Sequence, residues 1–344
     1  MNRKRKVFAA SVIALSGLAV AACSSSSSSS SSTADAAASA SPSSSVNLSS
    51  VTLNVGDQKG TGAEAVLKAA GLLSTLPFKV NWSDFTSGPP MLEAMASGSV
   101  DVGGVGDAPP VFAASGGEQV EIVGARSVPG GDQDALVVPK GSSITSVQQL
   151  KGKKIAYGSG SSANYHLLTV LNKAGLTTKD VTLVNLQPAN ALAAFTSGAV
   201  DAWDIWPPYV QQVVAQDGAK VLAIGSQYGS PYSFEVASKA AVANSEKAAA
   251  IKVYLATLNK AYVFTATHPD VWGAAWGAAS GLPASITTEA AKVDATTPVT
   301  ITSAVISSEQ NLVTQFYKAG LIPNNVDMSG FITNEFNSTV SESG

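Results

Sequence analysis

Reactive side chains are scarce in this chain. Its 344 residues include one cysteine and two histidines, so neither a disulfide framework nor a cluster of Cys and His metal ligands can be assembled from it. Arginine is nearly as rare, since beyond Arg3 and Arg5 only Arg126 remains. With the four cations Arg3, Lys4, Arg5 and Lys6 set aside, 17 Lys and Arg face 24 Asp and Glu, a formal balance of −7. That sign excludes a nucleic-acid backbone as partner.

The first residues read as an address. The basic patch at 3–6 precedes an apolar stretch at 7–20, and Ala21-Ala22 supplies the small residues expected before a cleavage point. The apolar stretch falls short of the ~20 residues needed to cross a bilayer, so residues 1–22 are expected to be an export signal. Val20-Ala21-Ala22-Cys23 resembles the lipobox of bacterial lipoproteins, which implies acylation of Cys23. Residues 23–50 are rich in Ser, Ala and Pro. Such a stretch has too little apolar surface to offset the entropy of ordering, and it is expected to be a flexible tether with a reach of roughly 25 to 30 Å. The expected location is the extracytoplasmic face of a bacterial membrane, held through Cys23.

Beyond the tether the chain repeats itself at an interval of one hundred. Leu92-Glu93-Ala94-Met95-Ala96-Ser97-Gly98-Ser99-Val100-Asp101 reads against Leu192-Ala193-Ala194-Phe195-Thr196-Ser197-Gly198-Ala199-Val200-Asp201. The period is too long for a solenoid or propeller. It predicts two similarly built lobes, and a cleft between lobes is a usual place for a small ligand. Strand-like runs at 51–55, 78–82 and 100–105 alternate with helix-like runs at 63–70 and 90–97, and a further helix starts at 109–114. The order returns as strand 154–157, helix 163–174, strand 181–186, helix 189–197 and strand 200–203. Alternation of this kind predicts parallel α/β sheets. Strand-like segments at 134–139 and 233–237 are candidates for two crossings between lobes, and 245–267 and 303–319 read as long amphipathic helices folding back on the first lobe.

In such sheets a ligand lies beyond the carboxyl ends of the strands, where helix N-termini present free N–H groups. Three loops have that character: Ser159-Gly160-Ser161-Ser162-Ala163-Asn164, Ser87-Gly88-Pro89-Pro90 and Gly106-Asp107-Ala108-Pro109. Each also reads as an ordinary helix cap. Trp206 lies past a strand end and is expected in the cleft, whereas Trp203, Trp82, Trp272, Met91 and Met95 are expected to pack.

The segments "DQKGTGAEAVLKAAGLL", "DFTSGPPMLEAMASGSVDVGGVGDAPPVFAAS", "VPKGSSITSVQQLKGKKIAYGSGSSANYHLL" and "LQPANALAAFTSGAVDAWDIWPPY" resemble the aliphatic sulfonate, taurine and nitrate binding family of ABC-importer substrate-binding proteins. The resemblance covers about residues 51 to 240. It implies a type II periplasmic-binding-protein fold, with lobe I at 51–135 plus 238–344, lobe II at 136–237, and two crossover strands about which the lobes close on a ligand. Carried over by position, ligand contacts fall on Gln58, Ser87, Gly88, Gly106, Asp107, Ser159, Ser161, Ser162 and Trp206, with Asn164 and Asp204 added from their loops. The chain departs from the family in having Asn164 where a histidine is usual and Trp206-Pro207-Pro208-Tyr209 where "WDPY" is usual. Acids at Asp107 and Asp204 would repel a bare sulfonate unless they face elsewhere or meet a cationic group, so the expected solute is an aliphatic sulfonate or the zwitterion taurine, with nitrate as the alternative. The implied partners are a small anionic or zwitterionic solute, a membrane permease and the membrane itself, with the protein a monomer that needs no cofactor or metal.

The competing class is an enzyme on the same scaffold, hydrolysing sulfinates or forming pyrimidines by cysteine or histidine chemistry. The only thiol is Cys23, and His166 and His268 each read as packing or surface residues, so no nucleophile–base pair is visible and no catalytic residue is assigned. A lipoprotein that senses a solute for a membrane receptor would share the fold.

Overall fold

A computed structural model of the chain describes residues 46–58, 62–128 and 133–341. Residues 1–22, Cys23 and most of the expected tether lie outside the described residues. The last stretch of that tether is ordered: Leu48–Ser50 form a 3-10 turn capped by Asn47, and Leu48 packs on the core.

The first sheet grows from β1 (Thr52–Gln58), followed by α1 (Ala63–Ala69), β2 (Lys79–Phe85), α2 (Gly88–Ala96), β3 (Val102–Val105), α3 (Ala108–Gly116) and β4 (Val120–Ser127). The chain then enters a second sheet as β5 (Ala135–Val138) and continues through β6 (Lys154–Tyr157), α4 (Ser162–Lys173), β7 (Thr182–Asn185), α5 (Pro188–Thr196), β8 (Ala202–Ile205), α6 (Tyr209–Asp217) and β9 (Lys220–Ile224). It returns to the first sheet as β10 (Tyr232–Ser238). A helical layer completes it: α7 (Lys239–Ala243), α8 (Ser245–Thr267), α9 (Pro269–Ser280), α10 (Ala284–Val293), the short β11 (Thr297–Val299), α11 (Ser303–Lys318) and α12 (Ser338–Ser341).

The two sheets have the same plan. Strand order is β11-β4-β10-β3-β1-β2 in one and β7-β6-β8-β5-β9 in the other. In each, three strands are parallel and the strand that has just crossed over lies antiparallel to its neighbours. The crossings run between β4 and β5 and between β9 and β10, near the segments expected from sequence. Strand β10, expected in lobe II, pairs with β3 and β4 and so belongs to the first sheet.

The hundred-residue repeat is accounted for by this plan. Asp101 Oδ2 accepts from Asn54 N at 2.9 Å and Asp201 Oδ2 accepts from Lys154 N at 2.8 Å, so each aspartate fastens the start of its third parallel strand to the first. Gly98 and Gly198 end their helices at φ of 84° and 75°, a backbone state that a side chain disfavours. Val100, Val200, Met95 and Phe195 are buried.

Helices cover both faces of both sheets, giving two buried clusters per sheet. Leu53, Val55 and Val102 sit at the centre of the first, each fully buried and each contributing about 1.5 to 3 kcal/mol. The long C-terminal helices add Tyr254, Leu258, Trp272 and Trp276 to one face, the two tryptophans stacked at 5.0 Å, and Leu312, Val313 and Phe316 to the other. Among the described residues no helix is long and apolar enough to cross a membrane.

Candidate ligand-binding site

Where the carboxyl ends of the two sheets face each other there is a cavity of about 160 Å³. From the first sheet it is lined by Gln58 at the end of β1, Gly88 at the start of α2, and Gly106 and Asp107 after β3; from the second by Ser161 and Ser162 at the start of α4 and by Trp206 after β8. Seven of the eleven residues named from sequence therefore meet at one place. Ser87, Ser159, Asn164 and Asp204 do not line it.

Each of those four has a structural partner. Asn164 Oδ1 accepts from Gly160 N at 3.0 Å and shapes the turn before α4, while Ser159 N donates to Asn185 Oδ1 at 3.0 Å. Ser87 Oγ donates to Gln187 Oε1 at 2.9 Å. Asp204 requires correction most: it is fully buried in β8, and both carboxylate oxygens lie 2.9 Å from His166 Nδ1. The pair pins α4 to β8 beneath the site. His268 lies exposed at the end of α8, its ring stacked on Phe264 at 4.1 Å.

The helix N-termini around the cavity differ in what they offer. At α1 the amides of Ala63 and Glu64 already donate to the carboxylate of Asp57, each at 3.0 Å, and Gln58 N donates to it at 2.8 Å. The contact is so close that a Cβ on Gly62 would stand 1.2 Å from Asp57 Oδ1. Burial pushes the Asp57 carboxyl up to about 6, against the pull of the amides of Glu64, Gln58 and Ala63. At α3 Asp107 Oδ1 accepts from Ala108 N at 2.7 Å, and Pro109 and Pro110 have no N–H to give. At α2 Pro89 and Pro90 remove two donors in the same way.

Helix α4 is different. Ser161 Oγ donates to Gly158 O at 2.7 Å rather than capping the helix, and no side chain caps it. The amides of Ser162 and Ala163 meet no protein acceptor among the described residues, as expected for the first turn of a helix awaiting a partner. Ser162 points across the cleft, where a Cβ on Gly106 would come within 3.0 Å of its own Cβ.

The opposite wall is acidic. Asp57, Asp107, Asp134 and Asp294 all line the cavity, with Arg126 as the guanidinium among them. Arg126 Nη1 donates to Glu235 Oε1 and, at 2.8 Å, to the hydroxyl of Tyr262, and its guanidinium lies 4.2 Å above the Tyr262 ring. Burial raises the Glu235 carboxyl and Arg126 opposes that rise, so the arginine arrives already neutralised. Sequence reasoning found Asp107 and missed the rest of this wall. Arg126 as the last arginine, and Glu235 in the otherwise apolar run Phe234-Glu235-Val236-Ala237, were the available signals; Asp294 and Thr296 follow α10 with no local signature. Trp272, expected only to pack, both stacks on Trp276 and lines the cavity.

Two α/β sheets joined by two crossings, with a cavity at their facing carboxyl ends, define the type II periplasmic-binding-protein fold. Residues 86–271, just over half of the chain, match the family described as NMT1/THI5 like, and the chain belongs to it. It is similar to the alkanesulfonate-binding protein SsuA from Xanthomonas axonopodis pv. citri bound to MOPS, at 32% identity and a TM-score of 0.78 over 83% of this chain and 99% of that one. It is also similar to the periplasmic aliphatic sulphonate binding protein SsuA from Escherichia coli, at 34% identity and a TM-score of 0.72 over 82% and 92% of the two chains. The taurine-binding periplasmic protein of Escherichia coli K12 is 37% identical over 150 residues, 44% of this chain and 45% of that protein. A desulfurization enzyme, DSZB, shares the fold at 16% identity and a TM-score of 0.61 over 85% and 99% of the two chains.

Proposed function

We propose that the protein is the extracytoplasmic substrate-binding component of an ABC importer for a short aliphatic sulfonate, with ethanesulfonate and its amino derivative taurine as the fitting sizes, and that Cys23 anchors it to the membrane. The observation that carries this reading is the uncapped start of α4, where Ser162, whose amide meets no protein acceptor among the described residues, lines the cavity. A sulfonate oxygen accepts from such amides without a formal cation. Size narrows the class: an apolar cavity of about 150 Å³ holds benzene, so about 160 Å³ suits a ligand of six or seven heavy atoms. The acidic wall facing α4 suits a ligand whose far end carries a cation or hydrogen-bond donors, which supports taurine over nitrate. Among the described residues no Cys or His lines the cavity, which leaves the enzyme reading without a nucleophile–base pair there.

The test is a thermal-shift panel of ethanesulfonate, taurine, nitrate, sulfate and a bulky aromatic sulfonate. A ligand at 100 times its dissociation constant stabilises the folded state by about 2.7 kcal/mol. The two short sulfonates are expected to raise Tm and the aromatic one to leave it unmoved; a panel in which no sulfonate shifts Tm refutes the reading.

A further inference from the structure

The internal repeat brings two equivalent positions into contact across the cleft. Ser87 precedes α2 and Gln187 precedes α5, one hundred residues later, and they meet: Thr86 Oγ1 and Ser87 Oγ both donate to Gln187 Oε1, at 2.8 and 2.9 Å. Both ends are fixed to their own sheets. Thr86 directly follows β2, while the neighbour of Gln187, Leu186, donates its N–H to Tyr157 O at 2.9 Å and Gln187 O accepts from Ala191 N at 2.9 Å. None of the three side chains lines the cavity. Beside them Gly160 packs under Phe112 and Pro89, where a Cβ would meet both at 3.3 and 3.4 Å.

We propose that Gln187, with Thr86 and Ser87, is a ligand-independent clasp that sets the balance between open and closed lobes, and through it the affinity and release rate of the bound solute. The proposal rests on the binding function above. Because the clasp lies outside the cavity lining, it shifts the population of the closed form rather than the contacts inside it. A ligand's apparent affinity scales with the fraction of protein already competent to hold it. Two hydrogen bonds of ordinary net strength correspond to about a tenfold change in that balance.

The experiment uses the full chain carrying Cys23→Ser, spin-labelled at Glu93→Cys and Ala193→Cys, two exposed equivalent positions on α2 and α5. Without any solute, pulsed electron resonance is expected to show a short-distance population that falls about tenfold relative to the long one in Gln187→Ala and returns in Gln187→Glu, which keeps the acceptor oxygens. Stopped-flow dissociation of ethanesulfonate should be about tenfold faster in Gln187→Ala, with association unchanged. A wild-type chain without the short-distance population, or a Gln187→Ala distribution identical to wild type, overturns the clasp. Failure of both ethanesulfonate and taurine to bind any variant instead sinks the functional reading, and the solute-free distances still decide the clasp.

Discussion

The stretches 92–101 and 192–201 serve the same end in their two sheets, whereas the loops that open α1 and α4, which occupy matching places in the plan, have parted. In the first sheet Asp57 closes the helix start with the protein's own carboxylate; in the second the corresponding start is left uncapped and aimed into the cavity. The repeat therefore records how each sheet is held together, and the departure from it records where a solute's charge is received. A symmetric pair of open helix starts would have offered a dianion two seats. One occupied seat and one open seat suit a single oxyanion at one end of a small molecule.

The largest effect should come from filling the open seat. Ser162→Phe places a ring where only 3.0 Å separates the Ser162 Cβ from a Cβ on Gly106, so it obstructs both the amides and the approach of the lobes. We expect the Tm rise produced by short sulfonates to vanish, a loss of more than about a hundredfold in affinity, about 2.7 kcal/mol. Unliganded Tm should stay within a few degrees, because Ser162 is not a core residue. Retained binding would move the oxyanion away from α4.

A smaller contrast is expected between the two repeated aspartates. Asp101 is buried, accepts from Asn54 N and also takes the Lys247 ammonium of α8 at 2.6 Å; Asp201 is only half-buried and accepts from Lys154 N. Asp101→Ala should cost about 2 to 3 kcal/mol and Asp201→Ala about 1 kcal/mol, since a charged hydrogen bond removed from a buried site leaves its partner unsatisfied. Urea unfolding of the two variants checks this, and equal losses would mean that the helical layer adds nothing to the first sheet's anchor.

The repeat, the strand–helix alternation and the glycine-rich loops were readable because each is a local signal: a turn needing positive φ, a cap position, a buried alternation. From these came the two lobes, the crossings and six of the seven residues that converge on the cavity, while Gln58 came from the family resemblance alone. Asp204 misled because position along a strand does not say which way a side chain leaves it; β8 turns Asp204 inward to His166 and delivers Trp206, past its end, to the cleft. Apart from Asp107, the acidic wall was illegible because it is assembled from distant segments, Asp57 with Asp134 and Asp294, and because its Arg126 is paired with Glu235 only once β10 returns to the first sheet. Asp57 carried a local clue in a carboxylate just ahead of a glycine-rich turn and a helix, the pattern of a remote cap.

The occupied seat gives the smallest change in binding and the finest discrimination. Burial holds the Asp57 carboxyl at about 6 in the folded protein, above the ordinary value near 4, so the folded state keeps a proton through the interval from about pH 4 to about 6 that the unfolded chain releases. Stability from this group is thus fully present below about pH 4 and declines as pH rises to about 6, by at most about 3 kcal/mol, with no further change above. Binding inherits the same group. An anion entering the cavity favours the protonated carboxyl, so ethanesulfonate should bind more tightly as pH falls from 7 to 5, by less than about tenfold per unit. A ligand whose ammonium faces the acidic wall favours the ionised carboxyl, and taurine should weaken over the same interval. Asp57→Asn keeps an oxygen to accept from one amide of α1 but has no proton to exchange, and it should flatten both slopes. Calorimetric titration of each ligand at four pH values separates the cases. If both ligands strengthen alike on acidification, the amino end does not meet this wall, and the contrast between the two helix starts concerns only the sulfonate.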